Sequence, residues 1–188
     1  VIFSSDNGSP WDDHDKLQLN HAANGHWRGQ KGDIWEGGHH VPLFVQWPAK
    51  IKKGNDYPHI TSLIDLVATF AELTGQNLEK GHAEDSFSFY NVLLGKQKKA
   101  NRDHLLNISG TGKLAITQGN WKYTDYLGSE GFTYPAHVKE VPGGPKGQLY
   151  NLKNDPQEQQ NLYLQYSGMV QDLLLRIQQI VEAGSSRY

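Results

Sequence analysis

The sequence contains no cysteine in its 188 residues. This absence excludes disulfide bonds, thiolate metal sites and a cysteine nucleophile encoded in this chain. The sequence also lacks an apolar run of the roughly 18 residues that a transmembrane helix needs, so we predict no membrane partner. An excess of one charge is lacking as well, because the formal net charge is −2. Without a basic field we predict no nucleic-acid partner.

The N-terminus lacks an initiator methionine and the charged segment and cleavage site typical of a signal peptide. Residues 1–5 instead have the pattern of a β-strand that is met at its own beginning. We therefore expect the chain to be a fragment, with any targeting signal upstream of Val1. Hydrophobic residues make up 37% of the chain, which suits one ordinary core or a core with a small lobe.

The first part of the chain, residues 1–100, is predicted to belong to an α/β domain. A strand followed at once by polar residues and glycine is typical of the carboxyl edge of a parallel sheet, where α/β proteins place their sites. The long polar segment that follows is predicted to be a functional loop. The expected elements are strands over 1–5 and 41–47, a loop over 9–31, a helix over 62–73 with Ser62 as its cap, and a shorter helix over 85–94.

The second part, residues 101–188, is predicted to be a small antiparallel-sheet subdomain with a terminal helix. Gly119 and Asn120 are placed at a hairpin turn. The C-terminal helix is predicted from about Ser167, because apolar residues recur on one helical face, and Gly184 follows its end. The expected strands lie at 105–108, 114–117, 121–123 and 149–152.

Asp6 and Asn7 are the first candidates for chemistry. A carboxylate and an amide carbonyl are hard oxygen ligands, which suit Ca²⁺ or Mg²⁺ and are poor for softer metals. The alternative interpretation is that Asp6, Asn7 and Gly8 form only a turn. The three residues alone do not decide between the two.

Lys31 is the second candidate. It lies among glycine-flanked segments, which let the backbone approach a ligand closely, and its ammonium could meet an oxyanion as a point charge. The alternative is a solvated lysine in a flexible loop. Glu36, which lies a few residues further on, could support the loop internally instead of touching a substrate.

Nine histidines raise the hypothesis of a zinc site. The spacing is against it, because no His-Glu-x-x-His sequence occurs, and the adjacent His39 and His40 would diverge in a strand. Neither a Gly-x-Ser-x-Gly elbow nor a Walker motif occurs. Zinc, serine-hydrolase and nucleotide chemistry therefore have no support in the sequence.

Several motifs follow one another in a distinctive order. They are Ser5-Asp6-Asn7-Gly8, Arg28-Gly29-Gln30-Lys31-Gly32 with Trp35-Glu36-Gly37-Gly38, Gly119-Asn120-Trp121-Lys122-Tyr123, and Leu149-Tyr150-Asn151-Leu152 with Asn154-Asp155-Pro156. Along essentially the whole chain this series resembles the type I sulfatases, arylsulfatase-like and formylglycine-dependent enzymes of the alkaline-phosphatase-like superfamily. The resemblance implies the C-terminal portion of an alkaline-phosphatase-like α/β sandwich, followed by the small antiparallel sheet and its helix.

The resemblance also implies roles for particular residues. Asp6 and Asn7 match the family's second pair of Ca²⁺ ligands. Lys31 matches the lysine that contacts the sulfate ester, where a cation offsets the charge that builds on the sulfuryl oxygens. Family members usually carry Arg where His40 stands, so a structural ion pair is expected to be weaker here. The residues expected to bind substrate are Lys31, His14, His26 and Arg28.

The family's nucleophile is absent from this chain. It is a formylglycine made from Cys or Ser in a Cys/Ser-x-Pro-x-Arg motif, and no such motif occurs here. In the family the formylglycine hydrate attacks sulfur while Ca²⁺ polarises the sulfate. We therefore expect the parent protein to be a sulfuric ester hydrolase that acts on a sulfated small molecule or glycan, and we expect the isolated chain to be inactive.

Two other functions stay open. One is a phosphoesterase of the same superfamily, although Asn7 and Lys31 count against the zinc sites that such enzymes use. The other is a non-catalytic module that forms a homo-oligomer through exposed sheet edges. The family resemblance implies a secreted, periplasmic or lysosomal location.

Overall fold

The computed structural model describes residues 1–187, which form five helices and six strands. The helices are α1 (Asp13–Leu19), α2 (Glu36–His39), α3 (Asp65–Leu73), α4 (Tyr90–Leu93) and α5 (Ser167–Ala183). The strands are β1 (Ile2–Ser4), β2 (Leu43–Val45), β3 (His104–Ile108), β4 (Leu114–Gln118), β5 (Trp121–Thr124) and β6 (Gln148–Asn151). None of these helices has both the length and the apolar character needed to cross a membrane.

The strands form a four-stranded sheet in the order β3-β4-β5-β6 and a two-stranded sheet of β1 and β2. In the larger sheet β4 and β5 are antiparallel, with Gln118 opposite Trp121, so Gly119 and Asn120 form the predicted hairpin turn. Gly119 has a φ of 59°, a value that glycine adopts without strain. The hydrophobic core at this sheet consists of Ile34, Trp35, Ala115 and Tyr150, with Leu152 packed against them.

The chain divides into two compact units. One contains Val1–Phe3, Leu43–Leu105 and the chain from Gln178 onward, and the other contains Ser4–Pro42 and Leu106–Ile177. Each unit is assembled from separated stretches of the chain. The continuous domains 1–100 and 101–188 expected from the sequence stay a prediction.

The pairing of β1 with β2 is antiparallel. Val1 and Gln46 exchange both backbone hydrogen bonds, each 2.8 Å long, which is the pattern of an antiparallel pair. We expected a parallel sheet after the first strand. β1 and β2 are instead antiparallel.

Helix α3 begins three residues later than predicted, because Asp65 organises its start. The buried Asp65 carboxylate accepts hydrogen bonds from the Ser62 backbone N–H at 2.9 Å and from the Arg102 guanidinium at 2.7 Å. Ser62 therefore contributes its backbone N–H and lies before the helix. A carboxylate that accepts hydrogen bonds at a helix start satisfies donors that the helix itself cannot.

The helix predicted over 85–94 is wrong for its first half, because only Tyr90–Leu93 is helical. The Phe87 N–H donates to the Asp65 carboxylate at 2.9 Å. The Phe89 N–H donates to the Thr69 hydroxyl at 3.1 Å. These bonds to side chains of α3 replace the backbone bonds of a helix.

Candidate functional site

Asp6 and Asn7 lie in the turn that directly follows β1. Asp6 is exposed and Asn7 is half-buried, and neither side chain has a hydrogen-bond partner within residues 1–187. The Gly8 N–H donates to the Gly38 carbonyl at 3.0 Å, and a Cβ at Gly8 would lie 1.8 Å from the Gly37 carbonyl oxygen. The backbone of the turn is thus held against Gly37 and Gly38, while the side-chain oxygens of Asp6 and Asn7 remain free.

The two glycines of α2 are required by close backbone contact. A Cβ at Gly37 would lie 2.3 Å from the Gly29 carbonyl oxygen, and one at Gly38 would lie 2.3 Å from the Asp33 carbonyl oxygen. Sequence reasoning missed this helix because glycine disfavours helices. The argument that His39 and His40 diverge assumed the geometry of a strand, whereas His39 ends α2 and His40 is its C-cap.

The loop that carries Lys31 is hydrogen-bonded to the residue that follows the turn. The Lys31 N–H donates to the Ser9 carbonyl at 3.2 Å. Asn24 exchanges two further bonds with the Ser9 backbone, at 2.8 and 2.9 Å. Both candidate segments are therefore held in one neighbourhood. The Lys31 side chain is exposed and has no hydrogen-bond or ion-pair partner within the described chain.

Asp33 fixes the backbone around Lys31. Its buried carboxylate accepts hydrogen bonds from the backbone N–H groups of Gln30 at 2.9 Å, Phe132 at 2.7 Å and Thr133 at 3.0 Å. The Thr133 hydroxyl donates to the same carboxylate. Lys31 is thus presented from an anchored loop, in contrast to the flexible loop of the alternative interpretation. Sequence reasoning missed Asp33 because two of its three partner residues, Phe132 and Thr133, lie about a hundred residues away.

A buried ion cluster lies behind this loop. The Lys122 ammonium is 2.8 Å from the Glu36 carboxylate and 2.9 Å from the Glu158 carboxylate. Glu158 also accepts the Glu36 backbone N–H at 2.6 Å, and His40 Nδ1 lies 3.1 Å from Glu36. Glu36 therefore supports the loop from inside, as the sequence allowed. Lys122 and Glu158 were not recognised as its partners, because nothing local in the sequence pairs residues so far apart.

The ion cluster shifts the pKa values of its members. Burial alone would raise the pKa of Glu36, but Lys122 and His40 outweigh it and hold that pKa below its usual range. Burial would lower the pKa of Lys122, but the two carboxylates outweigh it and raise that pKa. Burial raises the pKa of Glu158 despite the attraction of Lys122. Burial and the Lys122 charge lower the pKa of His39 to about 4.

Arg28 packs on Trp35 and donates hydrogen bonds to β6 and to the segment that follows it. Its guanidinium carbon is 3.6 Å from the Trp35 ring centroid. Its Nη1 donates to the Tyr150 hydroxyl at 3.2 Å and to the Glu158 carbonyl at 2.6 Å. These contacts give Arg28 a structural role. Its expected contact with substrate stays a prediction.

The two remaining candidates, His14 and His26, are both exposed. His14 lies on α1, a helix that sequence reasoning missed; the spacing of Asp12 and Asp15, which form a capping box, was the available signal. The ring of His26 contacts that of Trp27, with centroids 4.1 Å apart and the ring planes tilted by 40°. His26 lines a cleft that Arg28 also lines, and His14 is not among the residues that line it.

Comparisons with known proteins identify the family and the fold. The Sulfatase family model matches residues 1–76. An N-acetylgalactosamine-6-O-sulfatase from Bacteroides thetaiotaomicron is 35% identical over 178 residues, covering 92% of this chain and 34% of that protein. A steryl-sulfatase from Mus musculus is 28% identical, covering 86% of this chain and 28% of that protein. A solved structure, described under the metabolism of multiple glycosaminoglycans by Bacteroides thetaiotaomicron, has a TM-score of 0.80 and 33% identity, covering 96% of this chain and 38% of that one.

The fold is the mixed α/β, alkaline-phosphatase-like fold of these neighbours, with a small antiparallel sheet and a terminal helix, as predicted. The chain belongs to the type I sulfatase family. It spans about one third of the length of the relatives that it matches.

Proposed function

We propose that this chain supplies part of the active site of an enzyme that hydrolyses sulfate esters, with a sulfated glycan as substrate. The observation that carries the proposal is the backbone connection between the Asp6-Asn7 turn and the Lys31 loop, through the Gly8–Gly38 and Lys31–Ser9 hydrogen bonds. The name of the 35% identical relative, an N-acetylgalactosamine-6-O-sulfatase, supports the substrate class.

Asp6 and Asn7 are proposed as ligands of Ca²⁺. They offer a carboxylate and an amide oxygen without partners inside residues 1–187, on a turn whose backbone is anchored. Hard oxygen donors of this kind fit Ca²⁺. When bound, Ca²⁺ would polarise the sulfate group. Ca²⁺ takes about six to eight oxygen ligands, so two protein ligands predict at most millimolar affinity for this chain alone.

Lys31 is proposed to contact the sulfate ester. Its anchored backbone limits the positions that the side chain can reach, and its ammonium makes no ion pair within the described chain. A free cation held in place in this way offsets negative charge that develops on the ester oxygens, and it needs no reorganisation at the moment of reaction. The chain itself contributes charge compensation and metal binding.

The nucleophile is proposed to come from elsewhere. The chain contains no Cys/Ser-x-Pro-x-Arg motif, so formylglycine cannot be made within it by the family's route. We therefore propose that the isolated chain does not release sulfate. We also propose that it self-associates through the exposed edges of the two-stranded sheet.

Release of inorganic sulfate from N-acetylgalactosamine 6-sulfate tests the function. The protein expressed from the gene that encodes this sequence is compared with its Lys31→Ala variant, and Lys139→Ala is the control because Lys139 is exposed and has no partner among residues 1–187. We expect Lys31→Ala to lower kcat/KM by about 100-fold or more and Lys139→Ala to leave it unchanged. Turnover of phosphate esters without sulfate release would contradict the proposal and favour the phosphoesterase.

A further inference from the structure

A polar cleft of about 290 Å³ lies within the unit that carries Lys31. Three basic side chains line it, and so do two amide side chains; no carboxylate is among the lining residues of this described cleft. The basic residues are Lys16, His26 and Arg28, and the amides belong to Gln157 and Gln159. Such a lining favours an anion over a neutral or cationic ligand.

The basic groups of the cleft retain free donors. Arg28 uses a single nitrogen, Nη1, for both of its hydrogen bonds, so its other N–H groups have no partner within the described chain. Lys16 forms one bond, to Asp13 at 2.9 Å, and an ammonium has three donors. The cleft can therefore donate several charge-assisted hydrogen bonds to one bound group.

The amides of Gln157 and Gln159 add further donors. The Gln157 side-chain oxygen accepts a hydrogen bond from the Gln159 side-chain NH₂ group at 2.7 Å, which leaves the Gln157 side-chain NH₂ group without a partner inside residues 1–187. The nearby Asp155 carboxylate accepts the backbone N–H groups of Gln159 and Gln160, at 3.0 and 2.8 Å. Both of its oxygens therefore have local donors.

Ring contacts position His26. The centroids of its imidazole and of the Trp27 ring are 4.1 Å apart, with the planes tilted by 40°, and Trp27 stacks on His40 with centroids 4.0 Å apart. His40 Nδ1 lies 3.1 Å from the Glu36 carboxylate. Although His26 is exposed, these contacts tie its position to the buried ion cluster. A positioned imidazole can order a ligand group with less loss of side-chain entropy than a free one.

We propose that this cleft binds an anionic substituent, sulfate or carboxylate, of a polyanionic glycan, separately from the ester that is cleaved. The proposal rests on the proposed function for the choice of a sulfated glycan. The cleft adjoins the Lys31 loop through Arg28, which belongs to the same loop as Lys31. One glycan chain would then be held at two points, which favours polymeric over small sulfated substrates.

Calorimetry on the 188-residue chain without Ca²⁺ tests the cleft, with a chondroitin 6-sulfate hexasaccharide as the probe. The Lys16→Gln/His26→Gln double variant is compared with Lys139→Gln, which removes an exposed charge outside the cleft. We expect the double variant to weaken binding about tenfold and Lys139→Gln to have no effect. The same difference should persist in a Lys31→Gln background, where the sulfate-ester contact is already removed.

Two further probes identify the source of the anionic group. If the cleft binds a carboxylate, a desulfated hexasaccharide that retains its carboxylates binds nearly as well as the sulfated one. If the cleft binds a sulfate group, inorganic sulfate competes with the hexasaccharide. Equal affinity of the double variant and Lys139→Gln overturns the proposal, and so does equal binding of an uncharged oligosaccharide or no binding at all. Thermal unfolding of each variant shows whether the fold is retained.

The cleft and the catalytic proposal can fail independently. Binding that depends on Lys16 and His26, without sulfate release by the gene-encoded protein, refutes the proposed function and leaves the cleft in place. Sulfate release from the hexasaccharide with an unchanged KM in the double variant refutes the cleft and leaves the function in place. An increase in KM with little change in kcat is the result expected of a residue that binds substrate remotely from the ester.

Discussion

Lys122 is buried, with 2% of its surface exposed, and its ammonium lies between two carboxylates. Removing one member of a buried ion cluster leaves the others charged and unpaired, which costs far more than the cluster contributes as a whole. Lys122→Met should therefore lower the free energy of unfolding by about 3–5 kcal/mol. Urea denaturation followed by circular dichroism measures this.

The matched control is Lys139→Met, which removes an exposed lysine and should change the free energy of unfolding by less than about 0.5 kcal/mol. Adding Glu36→Gln to Lys122→Met removes one of the two unpaired carboxylates and should restore part of the loss. A loss at Lys122→Met no larger than that of the control would show that the cluster does not support the fold.

His39 makes the stability depend on pH. Burial and the Lys122 charge lower its pKa from 6.5 to about 4 in the folded state. Between these values the unfolded chain binds a proton that the folded chain does not, so stability is full above pH 6.5 and falls as the pH decreases toward 4. At pH 5 the expected loss is about 2 kcal/mol.

Urea denaturation at pH 7 and pH 5 checks this expectation. The His39→Gln variant lacks the titrating group, so its free energy of unfolding should change by about 2 kcal/mol less between the two pH values. The pKa of Glu36 is about 4.5 in the unfolded chain and lower in the folded one. The stability that Glu36 contributes is therefore lost mainly below pH 4.5, outside the range between pH 7 and pH 5. An equal pH dependence in both proteins would contradict the role given to His39.

At the level of elements, α2 is defined by contacts that only glycine permits. A Cβ at Gly37 would lie 2.3 Å from one carbonyl oxygen and 2.5 Å from another, and both belong to the backbone. Gly37→Ala should therefore destabilise the protein by more than about 2 kcal/mol. It should also weaken sulfate-ester binding, because the Arg28–Gly29 segment that it displaces leads into Lys31.

The same substitution elsewhere should have the opposite sign. Gly168 lies in α5, and nothing is within 4 Å of the position that its Cβ would occupy. Gly168→Ala should stabilise the protein by up to about 0.5 kcal/mol, because alanine loses less backbone entropy in a helix and Gly168 lies in the first turn of α5. Thermal denaturation of the two variants, side by side, measures the difference. A comparable destabilisation by both would mean that the contact at Gly37 is not the cause.

The sequence predicted the elements whose signals are local. Strands β3 to β6 were predicted from short strand-like runs between turns, and helix α5 from its helical periodicity. The observed ends of these elements differ from the predicted ends by one residue at most. Helix α3 was predicted from its apolar stripe, but the structure exposes Val67 and Phe70 and buries Asp65 and Thr69. Periodicity shows that a helix has two faces. It does not show which face is buried here, because a buried ion pair with Arg102 decides that.

The candidate site was predictable only in part. Asp6, Asn7 and Lys31 were found because short motifs carry them and a family resemblance orders them. The supporting residues, Asp33 and Lys122, were not found, because the bonds that tie them to the two loops, Lys122 to Glu36 and Asp33 to Phe132, join positions 86 and 99 residues apart. Without an approximate fold, nothing in one sequence links such positions.

For the whole molecule, the two-stranded sheet presents large apolar side chains to solvent. Phe3 is 63% exposed and Phe44 is 66% exposed, with ring centroids 6.1 Å apart. An exposed strand edge with apolar residues favours pairing with another copy. We therefore expect self-association at high micromolar concentration, measured by light scattering.

The Phe3→Lys/Phe44→Lys variant should be mainly monomeric, because charged residues on an edge strand oppose pairing. Leu175→Lys is the control, since Leu175 is 53% exposed but lies on α5. A monomeric parent chain, or a control that dissociates as fully as the double variant, would contradict self-association through this sheet.

The Asp6-Asn7 turn and Lys31 are proposed to belong to one site. Binding of Ca²⁺ and of a sulfate ester at one site must be thermodynamically coupled. The measurement is the dissociation constant of inorganic sulfate, the reaction product, for the gene-encoded protein, by calorimetry, with and without Ca²⁺ at about 10 mM, in the parent and in Asp6→Asn/Asn7→Ala. We predict that Ca²⁺ strengthens binding at least about fivefold in the parent and not in the variant. An affinity that is independent of Ca²⁺ in the parent would show that the Asp6-Asn7 turn and Lys31 do not share a site.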